Sequence, residues 1–96
     1  MNIHLRAVLD VAAVFGAKEQ VLCVAQGITI RELLHGLFAE HGERLESLLL
    51  KSGEPMELLP HMRIYVNGRS LDFLDGFDTG LRDDDDVMIM PQLSGG

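Results

Sequence analysis

The residues of this chain best placed to do chemistry carry no side chains at all: Gly95 and Gly96, which end it after Ser94. Glycine lacks a Cβ and roams φ/ψ space freely, so a terminal diglycine makes a thin arm that can carry a carboxylate into another protein's narrow site. Such a terminal carboxylate, which ordinarily titrates at roughly 3.3–3.7, is ionised at neutral pH and is a poor electrophile until it is activated. Gly is 10 of 96 residues, so chance alone gives such an ending about one time in a hundred on this composition. An appended linker could also end this way. The choice between these readings rests on what lies upstream.

Other candidates are weaker. Asp83, Asp84, Asp85 and Asp86 form an acidic run, but consecutive carboxylates diverge, whereas a Ca²⁺ loop spaces its ligands at alternate positions with a Gly. A solvated turn is the simpler reading. His4, His35, His41 and His61 show neither H-x-x-x-H nor Cys/His spacing, so no metal site is expected. His41 reads as a surface residue suited to the negative end of a helix dipole. Cys23, the single cysteine, reads as a small buried hydrophobe in a strand, and it allows no internal disulfide. Arg63 and Arg69 read as solvated strand positions. No nucleophile–base pair or glycine-rich phosphate loop is recognised.

Composition narrows the function classes. Ninety-six residues, 47% apolar and 24% charged, suit one domain with one core. Aromatics are 5% with no Trp, so that core is aliphatic. The net charge of −7, from 8 basic and 15 acidic residues, argues against nucleic acid, which is bound through Lys and Arg clusters. It suits either simple solubility or docking to a basic protein partner. Apolar runs are far shorter than the roughly 20 residues of a membrane span, and Met1 to Arg6 lacks secretory-signal features. A cytoplasmic protein without a membrane role is expected.

The positioning elements follow from periodicity. Ile3 to Ala7 alternates as a half-buried strand, and Val21 to Val24 is a second, joined by a loose connection through Val8–Phe15 and a Gly16-Ala17-Lys18 turn. Thr29 and Glu32 form a capping box, with Ile28 stapled to Leu33. Ile30, Leu33, Leu34, Leu37 and Phe38 make the apolar stripe of the main helix, which stops at His41-Gly42. Leu45, Leu48 and Leu49 predict a short helix over Glu43 to Leu50. Arg63 to Val66 is a strand, Asn67-Gly68 a type I′ turn, and Arg69 to Leu71 the return strand. Val87 to Met90 is the last strand, apolar enough to be central. One of its sets, Val87 with Ile89 or Met88 with Met90, belongs to the core, and the other is free to dock a partner. Pro91, which cannot donate to a ladder, is expected to end pairing and release the tail.

One main helix must bury its stripe on one sheet face, a two-layer α+β domain. If the first and last strands pair in parallel, the result is a β-grasp (ubiquitin-like) fold, a mixed sheet of four to five strands on one main helix. Residues 1–91 then form the domain and residues 92–96 a flexible tail.

The order VNGR hairpin (Val66-Asn67-Gly68-Arg69), Asp-rich turn, Val87-Met88-Ile89-Met90-Pro91, then Ser94-Gly95-Gly96 resembles the MoaD/ThiS family of ubiquitin-like sulfur carriers. Within it, the stretch from Glu43 to Met62 and the Pro-x-x-Ser-Gly-Gly ending are more similar to the molybdopterin synthase small subunit than to the thiamine carrier. The chain departs from the family in its apolar first loop, Asp10 to Gly16, and in having four consecutive aspartates. The resemblance implies that an E1-like adenylyltransferase uses ATP to turn the Gly96 carboxylate into an acyl-adenylate. A sulfur donor then displaces AMP to leave a thiocarboxylate. The large catalytic subunit of molybdopterin synthase would receive the tail and pass the sulfur to a pterin. The carrier binds no cofactor itself and is not an enzyme alone. Gly95 fits the channel, Leu93 anchors at its mouth or folds back onto the sheet, and Ser94, Pro91, Met90 and Met88 contact the partner. Rival readings are a protein modifier joining Gly96 to lysines, a carrier for thiamine or cysteine synthesis, and a plain β-grasp interaction domain.

Overall fold

The computed structural model describes residues 1–92; residues 93–96 lie outside the described residues. The elements run β1 (Asn2–Ala7), α1 (Leu9–Phe15), β2 (Glu19–Cys23), α2 (Ile30–His41), α3 (Glu43–Leu49), β3 (Met62–Val66), β4 (Arg69–Ser70) and β5 (Asp86–Pro91), with two short 3₁₀ turns at Leu71–Phe73 and Gly76–Asp78. The strands form one sheet in the order β2-β1-β5-β3-β4. β1 and β5 pair in parallel at its centre, and the β1–β2, β3–β5 and β3–β4 pairs are antiparallel. This is the β-grasp arrangement, with the final strand central as its apolar character demands.

The helices cover one face. Ile30, Leu33, Leu34 and Leu37 of α2 are buried against Ile3 and Leu5 of β1, Ile64 of β3, and Val87 and Ile89 of β5, with Leu45 and Leu49 of α3 closing the core. The α2 start is built as expected. The Thr29 hydroxyl accepts the Glu32 N–H, and the Glu32 carboxylate accepts the Thr29 N–H, satisfying donors that the first helical turn would otherwise leave orphaned.

The stretch after β1 differs from expectation: in place of a loose connection, Val8–Phe15 contains a seven-residue helix. It starts at Leu9, whose φ is +55°, without a side-chain cap, and closes on Gly16 at φ +77°. Such a left-handed glycine is a common helix end, and it is the signal that the β-branched valines mask. Val11 and Ala12 turn inward, so the apolar departure in this segment is core. β2 begins two residues earlier than expected, at Glu19. The return strand is shorter than expected, because Leu71 leaves the ladder for a 3₁₀ turn that Ser70 caps. Asn67 and Gly68 both hold φ > 0, as a type I′ turn requires.

Candidate functional site

The candidate site is the sheet centre, along β5. Of the residues expected to act, Met88, Met90 and Pro91 are described; Leu93, Ser94, Gly95 and Gly96 lie outside the described residues. Strand alternation sorts β5 cleanly. Val87 and Ile89 are 1% and 0% exposed and belong to the core, while Met88 and Met90 are half-buried on the helix-free face. Register fixes their neighbours. Met88 sits between Arg6 of β1 and Tyr65 of β3, and Met90 lies opposite Arg63. Val21 of β2, 59% exposed, extends the same face beyond His4. Two thioethers and a phenol ring thus form an adaptable apolar strip leading along β5 to the tail.

A charged pair borders that strip. Arg6 donates from Nε to Asp86 Oδ1 at 2.8 Å and from Nη2 to Oδ2 at 2.7 Å, a bidentate fork. The hydrogen bond to Asp86 and then its charge raise the Arg6 pKa above the ordinary value, so Arg6 stays protonated at every physiological pH.

The strand is pinned where it enters the sheet. The acidic run there is more than the solvated turn its sequence suggests, since its carboxylates have separate duties. Asp83 Oδ1 accepts the Asn2 N–H, Asp85 Oδ2 the Arg82 N–H, and Asp85 Oδ1 the Asn67 amide. The Asp86 N–H donates to Asn67 Oδ1, so Asn67 ties the hairpin turn to the start of β5. Asp84 takes a left-handed φ of +68°, which Asp tolerates better than most residues, and approaches His4 at 3.7 Å.

Where β5 leaves the sheet, the expectation for Pro91 needs correction: Pro91 does not end the pairing. It lies opposite Met62, and the Gln92 N–H donates to the His61 carbonyl one step further on. Because that bond makes His61/Gln92 a hydrogen-bonded pair, Met62/Pro91 is a non-bonded one. The missing N–H of Pro91 therefore faces away from β3, on the side where the β1 pairing has already stopped at Ala7. Arg63, read from sequence as a solvated residue, proves to be a clamp on this exit. Its Nη2 donates to Gln92 Oε1 at 2.7 Å, and its Nη1 donates to the Pro60 and Met62 carbonyls at 2.9 and 2.7 Å. No sequence signal marked that role, which follows from the register that sets Arg63 opposite Met90.

Two further expectations change. Cys23 is exposed at the end of the edge strand β2 rather than buried. His41 is more than a surface residue, since its ring meets Phe15 edge-on at 5.1 Å, joining α2 to α1. Among the described residues, no group of three or more His, Cys, Asp or Glu could hold a metal ion, and no helix is long and apolar enough to cross a membrane.

Comparison with known proteins bears on what this site serves. The ThiS family matches this chain over residues 10–96. An Archaeoglobus fulgidus protein described as "Putative sulfur carrier protein" is 36% identical over 72 residues, 75% of this chain and 78% of that one. Small archaeal modifier protein 3 of Haloferax volcanii is 33% identical over 96 residues, 100% of both chains. The solution structure of the Haloferax volcanii HVO 2177 protein, 33% identical, superposes with a TM-score of 0.78 over 100% of this chain and 87% of that one. The Pyrococcus furiosus "Putative molybdopterin converting factor, subunit 1" superposes with a TM-score of 0.74 over 97% and 99% of the two chains, at 20% identity, a likeness of fold alone.

Proposed function

The chain belongs to the ThiS family, whose fold is that of ubiquitin-like sulfur carriers, and from that premise we propose that Gly96 is its working end. An E1-like partner in the cytoplasm adenylates the Gly96 carboxylate with ATP, and a sulfur donor displaces AMP to give a thiocarboxylate. The chain itself holds no cofactor for this. The observation that carries the reading is the exit of the central strand β5: Met88 and Met90 offer an apolar strip that leads, through Pro91, to a terminal Gly-Gly. Gly95 passes through a channel too narrow for side chains, Ser94 follows it, and Leu93 stands at the mouth.

The finer reading is that this carrier is the small subunit of a molybdopterin synthase, delivering sulfur for dithiolene formation inside a large catalytic subunit. The Pro-x-x-Ser-Gly-Gly ending and the segment from Glu43 to Met62, which carries α3, support it. A second reading, conjugation of Gly96 to lysines of other proteins, is favoured by the full-length match to a small archaeal modifier protein. Both use the same tail and the same activation, and they differ in product. Removing Gly96 tests what they share: the truncated protein is expected to fold normally and to lose adenylation and sulfur transfer together. Normal transfer without Gly96 would refute the reading. Loss of molybdopterin formation in cells lacking the chain would favour the synthase branch. Loss of high-mass conjugates alone would favour the modifier.

A further inference from the structure

At the end of β5, on the helix-covered face, lies a groove of about 200 Å³ that no described side chain fills. Val8, Leu9, Val11, Leu48, Met62 and Pro91 give it apolar walls, with Asp10 and His61 at its margin. Leu9, 72% exposed, stands on its rim. Pro91 belongs to the chain's own final strand, and it shares the core-facing side with Val87 and Ile89. The Gln92 N–H bond to His61 carries strand pairing one residue past Pro91. In an extended chain side chains alternate faces, so continued extension past Gln92 would bring Leu93 to the core-facing side, about 7 Å beyond Pro91. The chain beyond Gln92 is four residues, and Leu93 is its only large apolar side chain.

The geometry points to this groove as the seat of the chain's own Leu93 in the free protein. The occupant is chosen by reach: Leu93 follows Pro91, a wall of the groove, by two residues in the sequence, so docking carries little loop-closure cost. With Leu93 seated, the free arm is Ser94-Gly95-Gly96, roughly 10 Å at full extension. The groove and the Arg63 clamp on Gln92 then fix the direction in which the carboxylate leaves the domain, so a partner meets an aimed three-residue arm. Leu93 acts here as a positioning residue. The inference deepens the carrier reading and rests on it only for this consequence.

The test is made on the full chain, free in solution, with labelled methyl groups. Cross-peaks are expected between the Leu93 methyls and those of Leu48 and Met62. The Leu93 N–H order parameter is expected near the body's value of about 0.85, with Gly95 below about 0.6. Leu9→Asn, which suits a left-handed φ better than Leu, is expected to keep the fold while weakening these cross-peaks and loosening Leu93. Leu48→Ala is expected to do the same from the opposite wall. In adenylation assays with the native activating enzyme, both groove variants are expected to raise KM about tenfold with kcat unchanged, because a less aimed arm costs more ordering on binding.

A Leu93 as mobile as Gly95, without cross-peaks, would overturn the inference. So would cross-peaks seen only between differently labelled molecules, which would assign the groove to a second copy, or only after a partner is added. Unaltered Leu93 order in both groove variants would also refute it. Because Leu93 order is read on the free protein and sulfur loading by mass, either can fail without the other.

Discussion

The two ends of β5 are held in opposite ways. Its entry is over-determined: Asp83, Asp85 and Asp86 and the Asn67 side chain distribute hydrogen bonds to β1, to the Arg82 backbone and to Arg6. Its exit has one ladder bond past Pro91 and one side chain, Arg63, gripping Gln92. A strand anchored at its start and lightly held at its finish delivers its last residues without giving up its place in the core. Such an asymmetry suits the proposed carrier role, in which the working atoms would be those of Gly96 while the stabilising burial lies at Val87 and Ile89.

The largest effect expected within β5 comes from its core face. Ile89→Ala should cost about 2–5 kcal/mol, combining lost transfer energy with a cavity under α2, measured by urea unfolding. A loss below about 1 kcal/mol would mean that the strand is not anchored by burial. On the opposite face, Met88→Asp and Met90→Asp should each change stability by about 1 kcal/mol or less. Each should weaken productive encounter with the activating enzyme at least about tenfold, read as the KM of adenylation. A matching fall in stability would merge the two faces into one structural role.

At the exit, Arg63→Ala frees Gln92 and removes the donors to three carbonyl oxygens, two of them in exposed bonds that water can replace. The expected loss is about 1 kcal/mol or less, together with faster amide hydrogen exchange at Gln92. At the entry, Asn67→Ala should cost more, because it removes a turn-compatible residue at φ +51° and two cross-links to the aspartates. Equal losses at the two ends would erase the asymmetry.

The smallest effect concerns pH. Asp86 raises the Arg6 pKa above its ordinary value, so the stability contributed by Arg6 protonation is undiminished from neutral pH up to that ordinary value and is lost only as pH rises through the raised one. Raising the pH from neutral to mildly alkaline should therefore leave the Arg6 contribution unchanged in thermal unfolding. A steady decline over that range that disappears in Arg6→Met would contradict this.

Much of this architecture was legible in the residues because local and global signals agree. Thr29 and Glu32 mark the start of α2, Asn67-Gly68 marks the β3–β4 hairpin, and Val87 to Met90 reads as a buried strand. α1 was hidden because Val11, Val14 and Phe15 favour strands and because Leu9 starts the helix at a positive φ without a cap. The Pro91 expectation failed for a geometric reason: a ladder tolerates proline at a non-bonded position whose nitrogen faces no partner strand, and only register shows that. The Arg63 clamp and the division of labour among the aspartates depend on residues as far as 81 positions apart, beyond any local pattern. The terminal Gly95-Gly96, by contrast, is legible only in the sequence, and its meaning comes from the strand that precedes it.

The most direct test is mass spectrometry of the C-terminal peptide from protein isolated from its native cell. Peptide-level assignment matters, because oxidation of Met88 or Met90 adds nearly the mass of an oxygen-to-sulfur exchange, and Cys23 also alkylates. A thiocarboxylate at Gly96, alkylated by iodoacetamide at that residue, is the expected result. A Gly96 found only as free carboxylate, or only in isopeptide linkage to lysine, would contradict the carrier role.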